Sequence, residues 1–456
     1  MPMPASNQAL RLFGWGVESI AERGTLTVAI QITANDTITV GGVLYTFIAG
    51  ATAAANQIGL GANVAAVRAA IIAAINGTDT FNTPNPLVYA PFAWGATTLV
   101  LQARAPGISS PAIGTVSSFT SGTNLFDAVT LGTTRAGANR GTLAAATSKP
   151  IVENIDFEEK DIVTRPALAK GLLLANRGNE HVSMRGTKWS VPDCPLSFEQ
   201  FQNWLSMITG NYSYVAGSPN TWVFTWDPTA DPAPYSWTLE RRLSDGANYE
   251  QQQFGYSMME SLTIKTAQDK DAMFSAAGFA RRIQTHTLTA GQTMPTPEFA
   301  SSAELTVAID ALWANFGVTP ILGQIYGSEI TIMPGNMPLV TSPGRSDLDF
   351  GTHVINGRNV KVTAKMLMLL APGASGQYDT EKAAAEAQTL RAVRLKLDGT
   401  SSKLIQIDAL MKHGKGSMFK VSEFEGQDVV TVELEGSTDD TNFMVITVKN
   451  TSTAIG

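Results

Sequence analysis

The residues best placed to do chemistry are carboxylates. Glu153, Asp156, Glu158, Glu159 and Asp161 crowd the stretch VENIDFEEKDIV, and Asp347 and Asp349 sit in SPGRSDLDFG. Paired carboxylates can act as general acid and base or hold Ca²⁺. Neither stretch has the spacing of an EF-hand loop. The ordinary reading is a solvated acidic loop, or a contact with Lys and Arg of a neighbouring subunit. The four histidines, His181, His286, His353 and His413, form no pair with metal-ligand spacing, and no Cys-x-x-Cys exists. The zinc-protease helix motif, the Gly-x-Ser-x-Gly elbow and a Walker loop are also missing from the sequence. Gly59-Leu-Gly61-Ala-Asn-Val lacks the third glycine of a dinucleotide loop. The single cysteine, Cys194, excludes an intrachain disulfide and reads as a small buried apolar residue. Arg241-Arg242 and Arg281-Arg282 are isolated basic pairs, not a nucleic-acid stripe. The expectation is a protein that is not an enzyme and has no metal or cofactor.

The elements that carry these residues belong to a large, weakly charged chain. It has 456 residues and 48.4 kDa, with 44% hydrophobic and 16% charged residues. At roughly 150 residues per domain that suggests about three domains. Charge is below the ~25% of ordinary soluble domains, which points to surface covered by partners. The net charge of −7 argues against tight phosphate-backbone binding. The start, MPMPASNQALRLF, does not read as a signal peptide. The longest apolar runs, such as Met366 to Ala371, fall far short of the ~20 residues that span a membrane.

Three regions separate. The first, Thr25 to Arg140, is rich in Ala, Thr, Gly and Val and has no Lys. DTITVGGVLYTF reads as a hairpin turning at Gly41-Gly42. Val64, Val67, Ile71, Ile72 and Ile75 recur at helical spacing, and Gly77 suits the C-terminal cap. PLVYAPFAW and TTLVLQARA read as strands. In the second region, Gly141 to Ile283, Ser197-Phe-Glu-Gln200 reads as a capping box. It opens a helix carrying Phe198, Phe201, Trp204, Leu205 and Ile208, ended by Gly210. YEQQQFGYSMMESLTIK reads as one long strand with Phe254, Tyr256, Met258, Leu262 and Ile264 on one face. In the third, from Gln284, Ser301-Ser-Ala-Glu304 reads as a second capping box, opening a helix lined by Leu305, Ile309, Leu312 and Phe316. TEKAAAEAQTLRAV is a helix by composition. GRNVKVTAKMLML and four later segments read as strands.

The second and third regions share an order of parts: strand, helix, then a set of strands. The expectation is a duplicated β-sandwich module, with two unrelated β-rich domains as the alternative. Arg23-Gly-Thr-Leu26 recurs as Arg140-Gly-Thr-Leu143, 140 − 23 = 117 positions later. The composition changes at both copies, which favours insertion of residues 24–140 into an older module over a chance match. The expected domains are 1–23 with 141–283, the insert 24–140, and 284–456.

GWGVES, GNEHVSMRGTKWSVPDCPLSFEQFQNWLSMITG, QFGYSMMESLTIKTAQDKDAMFSAAG, GSEITIMPGNMP, GRNVKVTAKML and EGQDVVTVELEGSTDDTNFMVITVKN resemble the tail tube proteins of long-tailed (siphovirus-type) bacteriophages. DTITVGGVLYTFIAG with NQIGLGANVAAVRAAIIAAIN is similar to a small accessory domain of phage tail and virion proteins. The resemblance implies a mainly β (α+β) fold: two tandem β-sandwich or barrel modules, each with a flanking helix, plus the inserted small α+β domain. It implies trimeric, pseudo-hexameric rings stacked into a tube for DNA ejection, assembled in the host cytoplasm and resident in the virion tail. The implied partners are further copies of the chain, a tape-measure protein in the lumen, a tail terminator and a distal tail protein. Double-stranded DNA passes without tight binding, and no membrane is involved. By position, Ile151–Gly178 and Met333–Gly351 are the loops that contact neighbours, which makes Glu153, Asp156, Phe157, Glu158, Glu159, Arg165, Arg345, Asp347 and Asp349 candidate contact residues. The alternatives are a distal tail or baseplate hub protein on the same fold, and a carbohydrate-binding or adhesive β-sandwich.

Overall fold

In the computed structural model the described residues are 10–18, 21–91, 94–104, 111–134, 143–159, 162–164, 181–226, 232–244, 249–268, 270–321, 325–339, 349–350, 352–355, 360–369, 377–414, 420–424, 426–439 and 441–455. The fold is mainly β, with 51% strand and 10% helix. The chain forms two compact units: Met1–Val17, Leu143–Thr209 and Phe224–Gly456 make the first, Glu18–Thr142 and Gly210–Val223 the second.

The first unit starts with β1 (Leu10–Val17). The chain then leaves it and returns at Leu143. The two ends of this excursion touch: Trp15 N donates to Ser148 O at 3.0 Å, Thr147 N to Trp15 O at 3.0 Å, and the Trp15 indole to Ser148 Oγ at 2.7 Å.

The second unit contains β2 (Arg23–Thr27), β3 (Thr37–Val40), β4 (Val43–Ala49), β5 (Gln57–Leu60), α1 (Val64–Asn76), β6 (Val88–Tyr89), β7 (Thr98–Ala103), β8 (Thr115–Ser118) and β9 (Leu125–Phe126). They form two four-stranded sheets, β5-β4-β3-β8 and β6-β7-β2-β9. The β3–β4 turn has φ of 58° at Gly41 and 81° at Gly42, the positive pair that a tight hairpin needs. Asn63 Oδ1 caps α1 by accepting from Ala66 N. Gly77 ends it at φ 65°, where a Cβ would lie 2.3 Å from Pro84 N. Val67, Ile71 and Ile75 pack with Leu26, Ile38, Phe47 and Leu99 in one core. The Arg23–Leu26 copy of the repeated tetrapeptide lies inside β2, and Arg140 to Thr142 of the other copy lie outside the described residues. Among the described residues of PLVYAPFAW, two form a strand, β6.

Beyond Leu143 the chain forms β10 (Asp156–Glu159), β11 (Ile162–Thr164), β12 (His181–Met184), β13 (Thr187–Pro195), α2 (Phe201–Ser206), β14 (Tyr212–Val215), β15 (Asn220–Trp226), β16 (Trp237–Ser244), β17 (Tyr249–Ala267), β18 (Met273–Ala280) and β19 (Gln284–Thr285). Then come β20 (Leu305–Asp310), β21 (Ile325–Met333), β22 (Asn336–Leu339), β23 (Thr352–Ile355), β24 (Lys361–Leu369), α3 (Gln377–Ala387), β25 (Arg391–Asp398), β26 (Leu404–His413), β27 (Lys420–Phe424), β28 (Gln427–Gly436) and β29 (Met444–Asn450). Leaving aside β14 and the start of β15, which group with the second unit, these strands form two halves with matching pairings.

In the first half, β1–β16–β17–β19 make one layer and β10–β13–β18–β17 the other. In the second half, the layers are β20–β25–β26–β29 and β21–β24–β28–β27. An antiparallel two-stranded arm follows β10 in one half (β11–β12) and β21 in the other (β22–β23). The layers bury alternate residues. Trp204 of α2 reaches both layers of the first half, 4.6 Å from Trp15, 6.2 Å from Trp189 and 5.7 Å from Phe274. Trp189 lies across Gly278, where a Cβ would meet its ring at 2.4 Å.

Several sequence expectations need correction. The segment read as a helix after Ser301 is one 3₁₀ turn followed by strand β20. Thr306, Val307 and Ile309 are β-branched, and all six residues of β20 find ladder partners on β25. Ser197 does not cap a helix in a box: its Oγ accepts from Glu199 N. Gln200 instead accepts from Ile151 N and donates to Lys149 O. α2 ends at Ser206, before Gly210. The helix in TEKAAAEAQTLRAV stops at Ala387, and Arg391 opens β25. The β17 residues do not share one face. Tyr256 sits at φ 57° and the pairing shifts again between Met259 and Ser261, so β17 passes from one layer to the other.

Candidate assembly surface

β17 also pairs with β21, from Leu262 opposite Ile332 to Ala267 opposite Gly327. That joint fuses the inner layers of both halves into one run of eight strands, β10–β13–β18–β17–β21–β24–β28–β27. One face of the run is core: Trp189, Phe274, Leu262, Ile264, Ile330, Ile332, Val362, Met366, Val430 and Val432 are buried. The other face is open and polar. Lys188 and Ser190 of β13, Ser275 of β18, Thr263 and Lys265 of β17, Glu329 and Thr331 of β21, Lys361, Thr363 and Lys365 of β24, and Thr431, Glu433 and Glu435 of β28 alternate with the core residues. Thr263 and Thr331 hydroxyls lie 2.9 Å apart across the joint.

Carboxylates neutralise three lysines of this face. Lys188 Nζ lies 3.3 Å from Glu260, Lys265 Nζ 2.8 Å from Asp193, and Lys365 Nζ 3.2 Å from Glu433. The bond from Lys265, with help from Ser275, holds the Asp193 carboxyl below its ordinary range. Asp193 in turn holds the Lys265 ammonium above its own, with Glu329 adding to the effect. With Asp156 and Glu158 on β10, and with Lys420 of β27 opposite Thr431, acidic and basic residues are interspersed on and beside this face.

The described pairings of the two end strands are one-sided: β10 with β13 and β27 with β28. Glu153, Asp156, Glu158 and Glu159 are exposed along the first edge. Phe157 points the other way, 4.5 Å from Phe254 and 6.4 Å from Phe13, with the Arg241 guanidinium 4.5 Å over its ring. On the second edge Val421, opposite buried Val430, is 52% exposed. In the second arm Met337 and Val354 face each other and are both exposed.

Arg165, Arg345 and Asp347 lie outside the described residues. Asp349 is buried and is used within the chain. Its Oδ1 accepts from Arg282 N at 3.1 Å, its Oδ2 is 3.8 Å from Arg282 Nε, and its backbone bridges Arg185. Asp349 is thus not available to a neighbouring molecule. The sequence reading missed the lysine–carboxylate face, although Lys361-x-Thr363-x-Lys365 carries its period-two signal. It also read Arg281-Arg282 as isolated, when this pair holds the segment around Asp349. Among the described residues no group of three or more His, Cys, Asp or Glu could hold a metal ion. Nor is any helix long and apolar enough to cross a membrane.

Sequence comparison adds no family to this geometry. The chain matches no protein-family model and no curated protein sequence. Its reading rests on the strands and faces described above.

Proposed function

We propose that the chain is a structural tail-tube subunit that closes with its own copies into trimeric, pseudo-hexameric rings. Stacked rings form the tube of a phage tail and the channel for DNA ejection. The observation that carries this reading is the β17–β21 joint. β27 is the second half's counterpart of the end of β17, and β10 is the first half's counterpart of β21. Repeating the internal joint between molecules pairs β27 of one copy with β10 of the next, so that six similar halves close a ring from three chains. Such a heterologous contact closes without leaving sheet edges, which are otherwise a hazard. It also covers Val421.

The open face then lines the channel. Serine and threonine hydroxyls, and lysines paired with carboxylates, give a wet surface that offers passing phosphates few free cations. In this reading the arms, with exposed Met337 and Val354, meet other copies. A tape-measure protein in the lumen, a terminator and a distal tail protein are the further partners of this reading, and the virion tail its location.

Negative-stain microscopy of the purified full chain tests it. Hollow tubes with a regular ring repeat support the proposal. Single rings that never stack favour a distal tail or hub component. A stable monomer that never polymerises and is absent from tails overturns it. The edge is tested by Glu423→Pro, which removes an outward-facing backbone donor from β27. Loss of tubes with an unchanged monomer melting temperature is expected, and normal tubes would rule out that edge.

A further inference from the structure

The joint between the halves has a second component besides β17–β21. The arm of the second half straddles the corner of β17 in the first. On its outgoing leg, buried Asn336 donates to Met259 O at 3.1 Å and Met207 O at 3.4 Å. On its return leg Phe350, 1% exposed, packs edge-on against Tyr256 at 5.0 Å and Phe279 at 5.5 Å. Arg281 donates to Phe350 O at 3.2 Å, and its guanidinium lies over both Tyr256 and Phe350. Beside it, Asp349 holds Arg282. The register of Phe279, opposite Lys188, puts Phe350 on the open side of the sheet.

A ladder of backbone bonds sets which strands meet but leaves the twist and coil of the sheet soft, since neighbouring strands turn by anything from about 10° to about 35° relative to one another. A second contact on one side of the ladder removes that freedom. We infer that the second arm is a clamp that fixes the angle between the two halves, and so sets how many halves close a ring. Phe350, Asp349 and Asn336 are its positioning residues, and Tyr256, Arg281 and Arg282 their seat. The angle follows from the clamp alone, while its use in setting ring size rests on the ring reading above.

The test is a distance distribution between spin labels at Ser190 and Thr363, one on each half, in a Cys194→Ser background, together with tube diameters by microscopy. The full chain should give one narrow distance. Phe350→Ala should broaden it about two-fold, because the joint is left with the soft ladder, and tubes should vary in diameter. Phe350→Leu, which refills the aromatic box, should restore the narrow distance. Asp349→Asn keeps the packing and should broaden it less; it serves if Phe350→Ala fails to fold. An unchanged distribution in variants that fold overturns the clamp, whether or not tubes form. A broadened distribution with unchanged tube diameter overturns its role in ring size. Wild-type protein that never makes rings defeats the ring reading and leaves the distance result to judge the clamp.

Discussion

The first half of the larger unit is built around tryptophan: Trp15, Trp189, Trp204 and Trp237 are buried between its layers, with Trp15 and Trp237 5.1 Å apart. The second half carries the same pairings on aliphatic residues, among them Ile309, Ile330, Met366, Leu395, Ile407, Val432 and Ile446. Each half also buries a glutamate that pins a helix or linker, Glu240 in the first and Glu381 in the second, and treats it differently. Glu240 is satisfied by largely neutral donors. Ala146 N, Thr289 N and Oγ1, and Gln292 Nε2 reach it, and the His286 ring lies 3.2 Å away. It ties the returning chain and the link to the second half onto β16. Glu381 on α3 meets Arg391 through both oxygens and His413 at 3.1 Å, and so holds the helix on β25 and β26. The comparison teaches that alternation of buried and exposed positions carries the architecture, while the filling of the core and the chemistry that pins the helix or linker are free to differ.

The comparison can be broken most sharply at the pins and the ring cluster. Glu381→Ala leaves Arg391 buried without its main partner and should cost about 3–5 kcal/mol. Trp204→Ala should cost a similar ~3–5 kcal/mol through the cavity it leaves. If denaturant melts show only tenths for either, the buried group is not holding its half. Glu240→Ala should cost less, about 1–3 kcal/mol, since it strands donors that are mostly neutral. An equal or larger loss than for Glu381→Ala would reverse the ranking of the two halves. In the second unit, Gly77→Ala forces a left-handed residue against Pro84 and should cost about 1 kcal/mol or more. Calorimetry should show that loss without a shift in the melting of the first unit.

Two smaller effects separate buried from open positions. Burial pushes the Cys194 thiol up to about 12, so native protein should resist alkylation at pH 8 and react only on unfolding. Rapid labelling of the native chain would contradict that burial. The folded Asp193 carboxyl sits below its ordinary range, so its contribution is present above that range and is lost as the pH falls through the folded value. Both partners of the Lys265 pair are well exposed, so Asp193→Asn should change stability at neutral pH by no more than a few tenths of a kcal/mol.

Local patterns were legible where one period dominates. The hairpin at Gly41-Gly42, helix α1 with its Gly77 cap and the alternation of Val362, Ala364, Met366 and Met368 all follow from spacing and glycine chemistry. Leu305–Asp310 misled because its apolar residues fit a helical period as well as a strand. The free ladder of β25 decided between them. Tyr256 misled because a positive φ leaves no mark in an alternating run.

By itself the sequence determined the mainly β class, the small α+β region rich in alanine and threonine, and the recurring order of strand, helix and strands. All of these are short-range patterns of burial. Tertiary structure alone decided that β17 changes layers, that β17 and β21 fuse the halves, that acids and lysines meet on one open face, and that Asp349 and Phe350 seat beside Arg281 and Arg282. Those contacts join residues distant in the chain, and their partners are chosen by packing geometry that no local spacing encodes.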